Sequence, residues 1–131
     1  MSIVSHASLS VHEVPRIKTR VLAGQASDAR QTTVWEQWIE PQGYIPPHYH
    51  RQEEVLVFLA GQVELRLDDT TTVVLAPATV VVPAGMVHSI RPHAGASIHL
   101  LAIFPTATPE ILAVDGSLRP MPWEDVDTEP D

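Results

Sequence analysis

An all-β fold, either a sandwich or a barrel, is predicted by three features of this sequence. About nine short apolar or alternating runs are separated by turn signals every eight to twelve residues or so, which is typical of sandwiches and barrels. Twelve prolines are spread through the 131 residues, and proline is tolerated in turns and at strand edges but breaks helices. Only residues 109–113 show a helical pattern, and it is weak.

Length and composition narrow the class of protein. A chain of 131 residues is expected to form one domain over 1–131, with 1–8 and 124–131 flexible. The formal net charge of -8, without a basic run, argues against a nucleic-acid partner. The absence of cysteine excludes disulfides, thiolate metal sites and cysteine nucleophiles. Neither a signal peptide nor a membrane span is visible, so we expect a cytoplasmic protein without a membrane partner.

The predicted strands follow one another with turns between them. Thr32 to Ile39 is rich in β-branched and aromatic residues, and Val63 to Leu67 alternates apolar and charged residues with a period of two. Gly61-Gln62 is expected to form a hairpin into the second of these strands, and Asp68-Asp69 a turn out of it. The other predicted strands are Leu9 to Val14, Arg16 to Leu22, His48 to His50, Val55 to Ala60, Thr71 to Leu75, Thr79 to Val82, Val87 to Ile90 and Ser97 to Phe104.

The stretch from His48 to Glu54 gives the first sign of a metal site. His48 and His50 are two residues apart, so on an extended strand both imidazoles leave the same face. Glu54 would lie roughly 13 Å beyond His50 if the chain stayed extended at about 3.3 Å per residue, which is too far to share an ion. Residues 51–53 are therefore expected to turn, so that Glu54 opens the neighbouring strand and points back. His88, after a Pro-Ala-Gly turn signal, is the expected source of a fourth ligand.

Two spaced motifs resemble the signatures of the cupin superfamily, whose members are double-stranded β-helices, or small jelly-roll barrels. The first motif consists of Gly43, His48-x-His50, Glu54 and Gly61, and the second is Pro83-x-Gly85-x-x-His88. Together they cover residues 43–92. The resemblance implies a cupin-type barrel, and it implies that one divalent transition metal ion is held by His48, His50, Glu54 and His88.

The departures from the cupin motifs lie in turns and leave the four ligand positions intact. Four residues rather than five follow Gly43 before the first histidine. Pro77 stands where the second motif has glycine, and Pro92 where it has asparagine. Glu53 competes with Glu54 for the carboxylate position, but the spacing to the following glycine and the parity shared with the apolar residues of its strand favour Glu54.

Side chains expected inside the barrel supply a candidate pocket. Gln37 lies on the more apolar face of its strand, so we expect it to point inward, where it either orients a ligand or satisfies a backbone group at a strand end. His99 lies on the mixed face of the last strand and is expected to point outward, toward water or a subunit partner. Trp123 could hold the C-terminal tail across the barrel. The pocket candidates are Trp35, Gln37, Phe58, Met86 and Ile90, and core packing is the alternative for the apolar ones.

The implied ligand set defines the possible chemistry. Three neutral imidazoles and one carboxylate would leave a divalent ion with a charge of about +1 and one or two open positions. Such ligands suit Fe, Mn, Ni, Co, Cu or Zn and do not choose among them. Cupins with this set include flavonol and acireductone dioxygenases and oxalate-degrading enzymes, and the resemblance names no single substrate.

The first functional hypothesis is a metal-dependent oxidoreductase, a dioxygenase of a small enolic or phenolic compound, with Glu54 as ligand and proton acceptor. A redox-neutral isomerase, lyase or decarboxylase is the second hypothesis, and a non-catalytic module that binds a small ligand is the third. The expected partner is a small molecule. A homodimer is also expected, because cupins commonly pair through their sheets and Leu101 and Ile103 are apolar side chains on the outward face of the last strand.

Overall fold

Twelve strands and two short 3-10 helices form within residues 1–124, which are the residues that the structure, a computed structural model, describes. The strands are β1 His12–Val14, β2 Ile17–Ala23, β3 Thr33–Ile39, β4 Ile45–Tyr49, β5 Glu54–Ala60, β6 Gln62–Leu67, β7 Thr70–Leu75, β8 Ala78–Val82, β9 His88–Pro92, β10 Ile98–Phe104, β11 Ile111–Ala113 and β12 Leu118–Arg119. The 3-10 helices are His6–Ser8 and Gln25–Ser27. No helix in this part of the chain is long or apolar enough to cross a membrane.

The strands form two six-stranded antiparallel sheets that enclose the core. The first sheet has the order β1-β2-β3-β10-β5-β8, and the second has the order β12-β11-β4-β9-β6-β7. The predicted all-β class is therefore confirmed, in the form of a jelly-roll barrel. Consecutive strands often lie in different sheets, which is why turn signals alone do not give the pairing.

The core lies between the two sheets and is built from side chains of alternating positions. In β10, the even-numbered residues from Ile98 to Phe104 are buried and the odd-numbered ones are half-buried. This period of two is what a strand with one interior face requires. The first sheet also contributes Trp35, Ile39, Leu56, Phe58 and Val82 to the core, and the second contributes Val63, Leu65 and Ile90.

Two predicted connections are wrong because the chain changes sheet. Gly61-Gln62 does not close a hairpin, since β5 pairs with β8 and β10 while β6 pairs with β7 and β9. Glu54 opens β5, but β5 is not the neighbour of β4, which pairs with β9 and β11. Glu54 therefore approaches the histidines from the opposite sheet. The predicted turn at Asp68-Asp69 is confirmed, since β6 and β7 form a hairpin there.

Two segments toward the ends of the chain differ from the sequence-based expectations. The helix predicted at Pro109 to Ala113 is wrong, because Ile111–Ala113 pairs with β4 and β12 as β11. The strand predicted from Leu9 is limited to β1. Trp123 packs against Trp35 with ring centroids 5.4 Å apart, so the chain is held against the core as far as this residue. Most of the predicted flexible C-terminus, residues 125–131, lies outside the described residues.

Glu36 is a buried carboxylate on the outer face of the first sheet. The alternation of side chains along β3 directs it away from the barrel interior. Glu36 is 8% exposed. It accepts hydrogen bonds from Arg20 at 3.1 and 2.6 Å and contacts His99 Nε2 at 2.6 Å. Burial alone would raise the pKa of Glu36, but hydrogen bonds from His99 and Arg20 lower it. His99 points outward, as predicted, and stacks on Trp38 with ring centroids 5.2 Å apart.

Gly61→Ala tests the crossover between the sheets. An alanine Cβ at this position would lie 2.2 Å from the Ser97 carbonyl oxygen, and φ is +103°. We expect the free energy of unfolding to fall by about 2–4 kcal/mol, measured by urea denaturation. The matched control is Gly95→Ala, where φ is +74° but no atom lies within 4 Å of the added Cβ. This control should cost only about 1 kcal/mol, and equal losses in the two variants would contradict the steric argument.

Candidate metal centre

Three histidines come together inside the barrel. His48 on β4 and His88 on β9 are direct partners across the second sheet, and His50 lies just beyond the end of β4. Their ring centroids are separated by 4.3 Å (His48 to His88), 4.9 Å (His48 to His50) and 5.5 Å (His50 to His88). One ring nitrogen from each lies within 4.8 Å of the others, and all three residues are buried. The group could hold a metal ion.

Backbone carbonyl groups fix the orientation of each imidazole. His48 Nδ1 donates to the Pro46 carbonyl at 2.9 Å and His88 Nδ1 donates to the Met86 carbonyl at 2.9 Å. His50 Nδ1 donates to the Glu110 carbonyl at 2.7 Å. Because a carbonyl oxygen can only accept, each Nδ1 carries a hydrogen, which assigns the other ring nitrogen, Nε2, as the potential ligand atom. This is the arrangement found around metal-ligating histidines.

His50 Nε2 is the atom that most directly fits a cation. It is buried and has no hydrogen-bond partner among the described residues. Glu54 Oε1 lies 3.4 Å from it without forming a hydrogen bond. A buried polar atom without a partner costs about 1–3 kcal/mol. A metal ion would satisfy this nitrogen, so the donor set fits the ion that the spacing implies.

Glu54 adds a carboxylate oxygen to the histidine cluster. Its Oε1 lies 3.0 Å from His88 Nε2 and 3.4 Å from His50 Nε2. Two ligand atoms that are each about 2.1 Å from one ion are about 3.0 Å apart at a right angle and about 3.4 Å apart at a tetrahedral angle. The separations are therefore compatible with shared coordination. Glu54 is 4% exposed, whereas its competitor Glu53 is exposed to solvent.

The ionisation states agree with a cation site. Burial would raise the pKa of Glu54, but His50 and His88 beside it lower the pKa to about 2, so the carboxylate is charged near neutral pH. Burial and the nearby His88 lower the pKa of His48 to about 3, which keeps this imidazole neutral. Burial would lower the pKa of His88, but its hydrogen bond with Glu54 raises it. A metal binding at His88 must therefore compete with a proton.

Two contacts of the site, those of Phe104 and of the Glu110 carbonyl with His50, were not predicted from the sequence. Phe104 packs edge-on against His50 with ring centroids 4.7 Å apart. It is the last residue of the apolar face of β10, and that position was the available signal. The Glu110 carbonyl was missed because its segment was predicted as a helix. The Glu110 side chain also pairs with Arg51 at 3.0 Å, an exposed ion pair that is worth little by itself.

The five predicted pocket residues do not all lie near the histidine cluster. Trp35 contacts Phe104 at 4.6 Å between ring centroids, and Ile90 follows His88 on the same face of β9. Phe58 is four residues beyond Glu54, about 13 Å along an extended strand, and belongs to the core. The Met86 side chain also packs against the core.

Gln37 points inward, as predicted, but its Nε2 donates to the Thr19 side chain at 3.0 Å rather than to a backbone group.

Comparison with known proteins gives the family. The family model described as "Cupin domain" matches residues 35–104, which is more than half of the chain and includes all four candidate ligands. The chain belongs to the cupin family. No curated protein sequence matches this cupin.

Solved structures with the same fold support the assignment. This cupin superimposes on the polyketide cyclase RemF from Streptomyces resistomycificus with a TM-score of 0.75 and 24% identity, covering 87% of this chain and 85% of the other. It superimposes on Lactobacillus farciminis oxalate decarboxylase with a TM-score of 0.74 and 19% identity, covering 83% of this chain but only 34% of the other. An RmlC-like cupin from Shewanella frigidimarina gives 0.67 and 15%, covering 79% and 89%. At these identities the likeness shows the fold alone.

Metal analysis tests the site. Freshly purified protein is expected to contain a transition metal, and the His48→Ala, His88→Ala double variant should lose it, because two of the converging nitrogens are removed. Elemental analysis provides the measurement, and His93→Ala, in a turn outside the cluster, is the control. Adding metal to metal-free wild type at about 100 times Kd should stabilise the fold by about 2.7 kcal/mol. An unchanged metal content in the double variant would contradict the assignment.

Proposed function

We propose that this cupin is a cytoplasmic metal-dependent enzyme, a dioxygenase that acts on a small enolic or phenolic compound. The observation that carries the proposal is the convergence of three buried imidazoles, each fixed through Nδ1, beside the Glu54 carboxylate. Mixed nitrogen and oxygen ligands with no thiolate suit a first-row transition metal. Such an ion, when bound, supplies Lewis acidity and, if it is redox-active, reactivity toward dioxygen.

Each residue of the site has a proposed role. His48, His50 and His88 would hold the ion through Nε2, and Glu54 would be the fourth ligand. We also propose that Glu54 accepts the proton from the substrate hydroxyl. Its lowered pKa makes it ionised but a weak base, so this transfer would depend on the bound ion to acidify the hydroxyl. In the overall reaction both atoms of dioxygen enter the product as a carbon–carbon bond is cleaved. No separate reductant is then needed.

The surroundings of the cluster support an organic substrate. Phe104 and Trp35 are adjacent aromatic side chains that lead from His50 into the barrel. They exclude water from the site, which strengthens electrostatic interactions within it. The alternative for Trp35, core packing, is compatible with this role because its ring also belongs to the hydrophobic core.

A redox-neutral reaction is the second candidate. It is favoured by the neighbour described as a polyketide cyclase, which aligns along most of both chains, and by the oxalate decarboxylase. In such a reaction the same four residues would hold the ion, and Glu54 would move a proton without any change in oxidation state. The two candidates therefore differ in their need for dioxygen.

Oxygen consumption separates the candidates. Fe(II)-loaded protein is expected to consume one dioxygen per catechol cleaved, measured with an oxygen electrode and by product mass. Glu54→Gln should lower the rate about 10²- to 10⁴-fold because it removes the proton acceptor and an anionic ligand together, whereas Glu53→Gln, at the exposed neighbouring position, should not. Turnover of a substrate under nitrogen or with Zn would favour the redox-neutral candidate. Binding without turnover under every metal would leave a non-catalytic module.

We also propose that the chain forms a homodimer through the outer face of the first sheet. Ile103 is paired with Val55, which in turn is paired with Val81, so apolar side chains follow one another across three strands. Val81 is 55% exposed and Leu59, on the same face, is 42% exposed. A contiguous outer face of half-buried and exposed apolar side chains favours association.

Sedimentation tests the proposed dimer. Wild type is expected to sediment as a dimer at micromolar concentration, and Leu101→Asp, which puts a charge at the centre of this face, should give a monomer. Val114→Asp is the control, because Val114 is 62% exposed but lies in the turn after β11. A monomeric wild type would exclude the dimer.

A further inference from the structure

A cavity of about 740 Å³ lies between the N-terminal segment and the barrel, separate from the candidate metal centre. The N-terminal segment before β1 and the loop that carries the second 3-10 helix form its outer walls, and Trp123 lies on its inner side. Its volume is within the range of about 300–1,000 Å³ that is usual for small-molecule sites. None of its lining residues is one of the four candidate metal ligands.

Aromatic contacts connect this cavity to the histidines. Trp123 packs against Trp35 at 5.4 Å, Trp35 against Phe104 at 4.6 Å, and Phe104 against His50 at 4.7 Å, measured between ring centroids. Pro109 also lines the cavity, and the carbonyl of the next residue accepts the hydrogen bond from His50. Trp123 therefore stands between the cavity and the interior of the barrel.

The lining of the cavity suits an uncharged ring compound with hydroxyl groups. Apolar side chains such as Val21, Leu22 and Trp123 alternate with hydroxyl groups such as those of Ser5 and Ser8. Among the described residues no lysine or arginine lines it. All eight lysines and arginines of the sequence lie within residues 16–119, and none of them is buried. The titratable side chains of the lining are His12 and Asp28. A carboxylate or phosphate ligand would therefore meet one carboxylate and no lysine or arginine, in a protein whose net charge is already -8.

We propose that this cavity binds an uncharged, hydroxylated compound of two or three fused aromatic rings, with one ring packed against Trp123. Offset or edge-on packing of a ligand ring on an indole is favourable, and the serine hydroxyl groups can hydrogen-bond the ligand hydroxyls. Binding at this cavity needs no metal. It is also independent of the proposed function, because the buried core residues Trp35 and Phe104 lie between the cavity and the histidines.

The test uses two probes that share a ring system and differ in charge. Calorimetric titration of metal-free, full-length protein is carried out with 2,3-dihydroxynaphthalene and with naphthalene-2,3-dicarboxylate. We expect the diol to bind at least tenfold more tightly than the dicarboxylate. Trp123→Ala should weaken binding of the diol about tenfold, whereas Trp38→Ala, which removes a tryptophan from the outer face of the first sheet, should not.

A second variant guards against loss of folding. Ala107 lines the cavity and is half-buried, so Ala107→Phe should fill part of the space and also weaken diol binding. Ala60→Phe, at an exposed position outside the cavity, is its control. Circular dichroism of all four variants verifies the fold. Diol binding that is absent in wild type, or unchanged in both Trp123→Ala and Ala107→Phe, would overturn the inference.

The metal content of the same samples separates this inference from the proposed function. Normal metal content without diol binding would contradict the cavity proposal and leave the proposed function intact. If the protein binds the diol with the expected variant effects but binds no metal, the proposed metal-dependent activity is contradicted and the cavity proposal stands. Equal affinity for the diol and the dicarboxylate would contradict the charge argument and with it the proposed ligand class.

Discussion

The hydrogen bonds from three Nδ1 atoms to backbone carbonyls are the interactions on which the candidate metal centre depends. For His48 and His88 the acceptor is two residues earlier in the chain, so the same local geometry recurs on two adjacent strands. For His50 the acceptor is the carbonyl of Glu110, sixty residues away. The segment leading into β11 must therefore be in place before all three imidazoles are oriented. Pairing of β11 with β4 at His48 brings it there.

The crossings between sheets explain why the ligands converge. His48 and His88 come from the second sheet, whereas Glu54 opens β5 in the first sheet. A hairpin between β4 and β5 would have placed the carboxylate beside the histidines in one sheet rather than facing them across the barrel. The next crossing, at Gly61, needs a residue without a side chain, because the Ser97 carbonyl oxygen occupies the space of a Cβ. The site thus depends on the same crossovers that close the barrel.

Local periodicity in the sequence was sufficient to predict on which face of its strand a side chain lies. The interior position of Gln37 and the outward position of His99 follow from a period of two, and the spacing of the histidines follows from the same rule. The pairing of strands does not follow from periodicity, because the pattern within one strand does not indicate which distant strand lies beside it. The helix predicted at residues 109–113 failed for a related reason: a three-residue edge strand is defined by pairing with β4, and not by a pattern of its own. The burial of Glu36 likewise depends on Arg20 and His99, which lie on neighbouring strands.

The buried negative charge of Glu54 explains why a cation would be stable inside the barrel. Glu54 is a buried anion, and no lysine or arginine among the described residues is buried with it. Burying an unpaired carboxylate is costly, so the folded chain needs a positive charge beside it. The raised pKa of His88 and the lowered pKa of Glu54 describe one way to provide it, a proton held between Nε2 and Oε1. A divalent cation would provide it more fully, since it would also satisfy the unpartnered nitrogen of His50. The proton and the cation would then compete for one position, and the protein would release a proton as it takes up the metal.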